Sequence, residues 1–313
     1  MLPEPRLTVI IPTFQRAPVL ARTLAALCEN QQGELPAWEV IVVDDGSGDD
    51  TPALLAELGR RYEQLQALRQ PNRKQGAARN HGLRHARGEL LVFLGDDIIP
   101  EPDFLAAHWA AFRDSGEADN HAAIGHTDWH PEIPLTPFLR WANEDGLQFG
   151  FRIIADPETV PFNFFYTSNL AIHRALYDRH GGFDESFSEY GWEDIELGYR
   201  YQTRGGMRLR YRPAARALHH HRLTLRGFCR RQYRVGYSAE LFHRLHPELA
   251  DFLHRRPVPA ALGYLRPGLD LAAGLLERAD RLGVNINPLG HRLLQGYYLL
   301  GMGAAQRAGP PRA

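Results

Sequence analysis

The feature that most constrains this chain is an alternation of short apolar runs with helix-patterned segments over its first 115 residues. Leu7–Pro12 (LTVIIP), Trp38–Ser47 (WEVIVVDDGS) and Leu90–Pro100 (LLVFLGDDIIP) are rich in β-branched and large apolar residues, as buried strands require. Between them lie segments with apolar residues at helical spacing: Val19, Leu20, Leu24 and Leu27, then Leu54, Leu55, Leu58, Tyr62 and Leu65. Thr51-Pro52 predicts a helix start, with Thr51 as N-cap. A weak third strand is expected near Leu65–Gln70, a helix over GAARNHGLRHARG ending near Gly88, and another over PDFLAAHWAAFRDS. Strands and helices alternating at these lengths predict an α/β, doubly wound, mostly parallel sheet. Ligands of such sheets bind beyond the carboxyl ends of the strands. Two of the predicted strands end there on adjacent carboxylates, Asp44-Asp45 and Asp96-Asp97.

The remainder is less regular. A strand is expected within Phe162–Arg174, and a loop and helix over GGFDESFSEYGWEDIELGYRYQTRGG. Two short strands are expected around Pro213 in MRLRYRPAARALHHH. From Thr224 the pattern is helical, so residues 1–223 are read as one domain and 224–313 as a helical extension. Hydrophobic residues make up 44% of the 313, enough for a substantial core. With 36 basic and 37 acidic residues no global polyanion-binding surface is implied, and no nucleic-acid-binding module is recognised. Only Cys28 and Cys229 are present, the start lacks a signal-peptide pattern, and no apolar run is long enough to cross a bilayer. These features lead to the expectation of a cytoplasmic protein.

Adjacent like charges repel, so Asp96-Asp97 raises the expectation of a cation. A hard divalent ion such as Mn²⁺ or Mg²⁺ takes carboxylate oxygens and leaves room for water and phosphate. The run His219-His220-His221 offers imidazoles, and strand alternation would point His219 and His221 one way and His220 the other. Taken singly, each motif has an ordinary explanation. Asp-Gly is a turn signal, carboxylates cap helices, and a histidine run can simply be solvated.

In order along the chain, VIIPTFQR, VVDDGS, GAARNHGL, FLGDDIIP, TSNLAIHR, GGFDESF, YGWEDIELGYR and ALHHHR resemble family 2 glycosyltransferases of the GT-A fold. The resemblance covers roughly residues 6–235. It implies a nucleotide-binding sheet with a smaller acceptor-side region, and inverting, metal-assisted transfer from a nucleoside diphosphate sugar. By that resemblance Pro12, Thr13 and Arg16 would line the nucleoside pocket, Asp45 would hold the base, and Arg79 would approach base or diphosphate with Asn80 supporting it. Asp96 would hold the ribose. Asp97 would ligate the metal with His219, His221 being the reserve ligand. Ser168 and Asn169 would face the sugar. Gly95 stands where many relatives carry another Asp, so the D-x-D spacing is incomplete.

Inverting transfer needs one carboxylate to take the acceptor proton. Glu193 and Asp194 open a helix, where its dipole favours their charged forms. Asp194 is expected to be the base, Glu193 to bind acceptor hydroxyls and Trp192 to stack on a sugar ring. The expected donor is a UDP or dTDP sugar. The expected acceptor is a glycan or lipid-linked molecule of cell-surface or exported polysaccharide biosynthesis. Arg226, Arg230 and Arg234 form a basic stripe at i, i+4 and i+8, which is either a solvated face or a peripheral contact with the inner face of a membrane or a lipid diphosphate. The last helices are expected to form a cap or a homodimer contact. A non-catalytic nucleotide-sugar binder on the same fold is the alternative. A dinucleotide-dependent dehydrogenase is rejected because PTFQRAP stands where G-x-G-x-x-G would be needed.

Overall fold

The structure, a computed structural model, describes residues 4–250, 252 and 257–309. In chain order its elements are β1 (Leu7–Thr13), α1 (Ala17–Glu29), β2 (Trp38–Asp44), α2 (Thr51–Arg61), β3 (Leu65–Arg69), α3 (Lys74–His85), β4 (Leu90–Leu94), β5 (Ile98–Pro100), α4 (Phe104–Asp114), β6 (His121–Trp129) and α5 (Pro137–Glu144). They continue with β7 (Asn169–His173), α6 (Arg174–His180), α7 (Glu193–Gly205), β8 (Arg208–His219), α8 (Leu225–Leu245), α9 (Arg266–Arg281) and α10 (Asn287–Ala308). The chain divides into two compact units: residues 1–133, 154–185 and 194–221, and residues 134–153, 186–193 and 222–313. The second unit therefore takes two segments that the sequence assigns to the first domain.

The first unit is built on one eight-stranded mixed sheet in the order β3-β2-β1-β4-β7-β6-β8-β5. β3, β2, β1 and β4 are parallel, as the alternating pattern predicts. β7 runs antiparallel to β4 and β6, and β5 antiparallel to β8. Val9, Ile10, Ile11, Val40–Val43 and Leu90–Leu94 are buried on both faces, which explains why these strands read as continuous apolar runs. At the other end of these strands, buried Glu39 accepts from Thr8 Oγ1 at 2.8 Å and from Arg87 Nε at 2.9 Å, so its charge is paired.

Three local expectations change. α2 begins on Thr51, and its first turn is tied by Asp49, whose Oδ1 accepts from Thr51 N at 3.1 Å and from Thr51 Oγ1 at 2.6 Å. The expected strand within Phe162–Arg174 is confined to β7, preceded by a 3-10 turn at Phe162–Phe164. The two expected strands around Pro213 are one strand, β8. Its pairing with β6 jumps from Gly125↔Arg212 to His126↔Arg216, a bulge that removes Pro213 from the ladder, where it has no N–H to give.

The second unit is helical. Thr224 caps α8, its Oγ1 accepting from Gly227 N at 3.1 Å. α8 and α10 meet backbone to backbone at two glycines. A Cβ on Gly236 would stand 1.9 Å from Tyr298 O, and one on Gly301 would stand 1.8 Å from Tyr233 O. Buried Asp280 of α9 accepts from Phe138 N at the start of α5 at 2.7 Å. The segment 186–193 follows α8: Trp192 packs on Phe242 with ring centres 5.0 Å apart, and Tyr190 lies under the Arg231 guanidinium.

Candidate active site

The carboxyl end of β4 and the end of β8 bring the predicted acidic and histidine groups together. β5 pairs with β8 so that Ile98 faces His219, and His220 N donates to Asp97 O at 2.8 Å. This places Asp97 Oδ2 3.5 Å from His219 Nε2 and 3.8 Å from His221 Nδ1. His219 stacks on Trp129, ring centres 5.2 Å apart, and His221 stacks on His219. His220 points away, its Nε2 lying 3.0 Å from Glu132 Oε2. The alternation expected along the strand is observed.

Arg16 sits at the N-cap position of α1. Gln15 before it is in the left-handed region, φ 54°, and its N–H donates to Ser47 Oγ at 2.8 Å. That sharp turn aims Arg16 at the site, where Nη1 donates to Asp97 Oδ2 at 2.6 Å and lies 3.1 Å from His221 Nδ1. Asp96 points elsewhere, accepting from Thr13 Oγ1 at 2.8 Å. Burial, then the neighbouring Asp97 charge, lifts the Asp96 pKa to about 7. Burial pushes Asp97 the same way. The His219 contact and charge, Arg16 and His221 outweigh it and hold Asp97 well below the usual carboxylate range. The environment thus splits the pair into one carboxyl poised near neutrality and one firmly ionised.

Oxygen and nitrogen donors around one divalent ion, each ~2.0–2.2 Å from it, stand roughly 3–4 Å apart. The Asp97 and His219 donor atoms meet that spacing, and Arg16 already bridges Asp97 and His221 with positive charge. The residues present fit a divalent cation. Among the described residues a second trio, His130, Glu132 and His220, has ligand atoms within 4.8 Å of one another. Arg22 lies inside it, donating to Glu132 at 2.7 Å and 2.9 Å and standing 2.9 Å from His220 Nε2. That trio too has the spacing of a cation site, and Arg22 stands in it much as Arg16 stands beside Asp97.

The other predicted residues divide. Pro12 is half-buried on β1. Buried Asp45 organises the turn into α3, accepting from Gln70 Nε2 at 2.8 Å and from the backbone N–H groups of Arg73 and Lys74 at 2.9 Å. Asn80 is fully engaged with the 183–185 turn, donating to Phe183 O and Glu185 Oε1 and accepting from Phe183 N. Arg79 is buried beneath Phe183, and its charge acts on Asp194. Asn169, expected against the sugar, is turned inward. Its amide bonds His108 Nε2 at 2.8 Å, His126 O at 3.1 Å and Ala215 O at 2.9 Å. Asp194 stands in the first turn of α7 and accepts from Ile195 N at 2.9 Å. Burial raises its pKa against the opposing charge of Arg79 and the backbone N–H groups of Ile195 and Thr167. Glu193, at the head of α7, is buried in the second unit, as is the Trp192 Nε1 atom. Sequence reading misses Thr13 as the partner of Asp96 and Trp129 as the platform for His219. Their only signal is three-dimensional, since 83 positions separate Thr13 from Asp96.

Residues 8–180 match the description of Glycosyl transferase family 2. The chain belongs to this family. Among curated relatives of this family 2 member, a validoxylamine A glucosyltransferase of Streptomyces hygroscopicus subsp. jinggangensis is 32% identical over 227 residues, 64% of this chain and 52% of that protein. A hyaluronan synthase of Pasteurella multocida is 31% identical over 62% of this chain and 22% of that protein. The chain thus spans about half or less of the length of these relatives. Among solved structures, a mannosyltransferase from Pyrobaculum calidifontis in complex with GDP-Man and Mn²⁺ aligns with TM-score 0.62 at 20% identity, over 99% of this chain and 89% of that one. S. aureus TarS 1–349 in complex with UDP aligns with TM-score 0.53 at 17% identity, over 97% and 92%. The first unit thus has the GT-A fold.

Proposed function

We propose that this family 2 glycosyltransferase carries out inverting transfer of a sugar from a nucleoside diphosphate donor to an acceptor hydroxyl. The observation that carries the reading is the convergence of Asp97, His219 and His221 at the carboxyl end of the sheet, beside a separately held Asp96. Asp97 and His219 would hold Mn²⁺ or Mg²⁺, which when bound offsets charge on the donor diphosphate. Thr13 orients Asp96 as an acceptor for ribose hydroxyls. Arg16 and Arg79 draw the anionic donor in and counter charge on the departing diphosphate. Asp194 takes the acceptor proton, and its raised pKa brings it nearer the working pH of a general base. Glu193 and Trp192 bind acceptor hydroxyls and a sugar face. The proposed donor is a UDP or dTDP sugar. The acceptor is a glycan or lipid-linked intermediate of surface polysaccharide synthesis, handled in the cytoplasm or at the membrane's inner face.

Calorimetric titration with UDP, dTDP and GDP, each with and without Mn²⁺, tests the donor site. Binding of one nucleotide that requires metal supports it, and binding of none removes it. A non-catalytic binder on the same fold is the second reading, favoured by Gly95. Turnover that disappears in Asp194→Asn while nucleotide binding persists would exclude it.

A further inference from the structure

The basic stripe of α8 does not lie on a flat surface. Arg226, Arg230 and Arg234 line a cleft of about 520 Å³ within the second unit, together with Arg266 and Asp270 of α9, Tyr297 of α10 and Glu189 from the 186–193 segment. Four guanidinium groups meet two carboxylates there, and both carboxylates are engaged. Glu189 lies 3.7 Å from Arg234, and Asp270 accepts from the Tyr297 hydroxyl. Arg266 covers the ring of Tyr233, 5.6 Å from its centre. Among the described residues the guanidinium groups of Arg226 and Arg230 have no ion-pair or hydrogen-bond partner. The Arg226 group lies over Gly274, where a Cβ would come within 2.5 Å of Nη2, so a glycine on α9 makes room for it.

Like charges one helical turn apart repel, and Arg226 and Arg230, unlike Arg234 beside Glu189, have no carboxylate among the described residues to offset that repulsion until an anion joins them. The volume suits a small-molecule site. Arginine's planar fork matches phosphate oxygens two at a time. Arg226, Arg230 and Arg234 rise along α8 in steps of ~6 Å, a span that suits an extended anion better than a single small one.

We infer that this cleft binds a phosphate or diphosphate ester other than the donor nucleotide, the anionic anchor of the acceptor. Its role as an acceptor site rests on the transferase reading proposed above, whereas the anion site itself does not. Glu189, on the cleft wall, lies in the segment that runs directly into Asp194. A lipid-linked diphosphate and a soluble phosphorylated glycan share the required chemistry.

The test is calorimetry with inorganic pyrophosphate in the presence of a metal chelator, comparing wild type with Arg226→Gln/Arg230→Gln and with Arg230→Lys. Wild type should bind, the double variant at least tenfold more weakly, and the lysine variant in between. Equal binding by all three, or none by wild type, would overturn the inference. Unchanged thermal unfolding shows that a variant is folded, and these exposed side chains should permit that. UDP, dTDP and GDP, each with Mn²⁺, on the same samples separate the two readings: if none binds wild type while pyrophosphate binding still depends on Arg226 and Arg230, the donor reading falls and the anion site stands. Farnesyl diphosphate binding more tightly than pyrophosphate identifies a lipid-linked ligand, and glucose 1-phosphate competing equally identifies a soluble one. Dependence on Arg226 and Arg230 seen only with anionic vesicles, and with none of the soluble phosphates, would overturn the inference in favour of a membrane surface.

Discussion

Asp96 and Asp97 are neighbours in sequence and opposites in environment. Burial and the neighbouring Asp97 charge, against the opposing Thr13 hydrogen bond, bring one near neutrality, while two imidazoles and Arg16 keep the other ionised. Asp97→Asn should therefore abolish Mn²⁺-dependent nucleotide binding in calorimetry, whereas Asp194→Asn should spare binding and lower kcat by at least ~100-fold. The pKa of Asp194 is raised, and a general base works only when ionised. Turnover should thus climb with pH along a limb that lies above the ordinary carboxylate range, and a kcat–pH profile flat from pH 4 upward would contradict this. Gly95 lacks the carboxylate of a D-x-D motif, and its surroundings match that lack. A Cβ there would meet Ile98 Cγ1 at 2.8 Å, and Ile98 is buried. Gly95→Ala should cost about 1–3 kcal/mol of stability in a urea titration, the usual penalty of overpacking.

At the level of elements, legibility followed the range of the interactions. β1, β2 and β4 announce themselves because burial on both faces demands continuous apolar residues. β5 is three residues long and exists only because β8 pairs with it, so no local pattern marks it. The bulge that lets β8 carry Pro213 is equally invisible from sequence. Residue type and strand alternation sufficed to bring Asp97 and two of the histidines to one place, as the structure has them. At Asn169, expected against the sugar, the side chain instead ties β7 to Ala215 and His108, partners that no local pattern marks. The α8–α10 crossing shows the same limit, since nothing local to Gly236 or Gly301 tells that the two backbones meet there. Gly301→Ala should force the helices apart and lower the unfolding midpoint of the second unit by far more than a surface Gly→Ala change. Local hydrogen exchange along α8 would locate the effect.

For the whole molecule, two histidines in the first unit set a limit at low pH. Burial lowers the pKa of His108 to about 4 and that of His121 to about 3, and both ring nitrogens of His121 lack a partner among the described residues. The unfolded chain binds protons at these rings near pH 6.5, and the folded chain does not. Stability is therefore intact above that pH and falls as the pH drops toward the folded values, by up to ~1.4 kcal/mol per histidine per pH unit. Urea midpoints measured from pH 7 to pH 4 should decline steeply, and His121→Leu should flatten the decline. Among the described residues no helix is long and apolar enough to cross a membrane.

The three histidines at and just beyond the end of β8 carry a further consequence. Two of them reach Asp97 and the middle one faces Glu132. If β8 slid by one residue in either direction, every side chain would change face, yet an imidazole would still occupy at least one of the two places beside Asp97. The run is spelled with synonyms. It gives the strand that ends beside Asp97 a spare imidazole, so a one-residue change in the length of the proline-bearing bulge upstream would not empty the site.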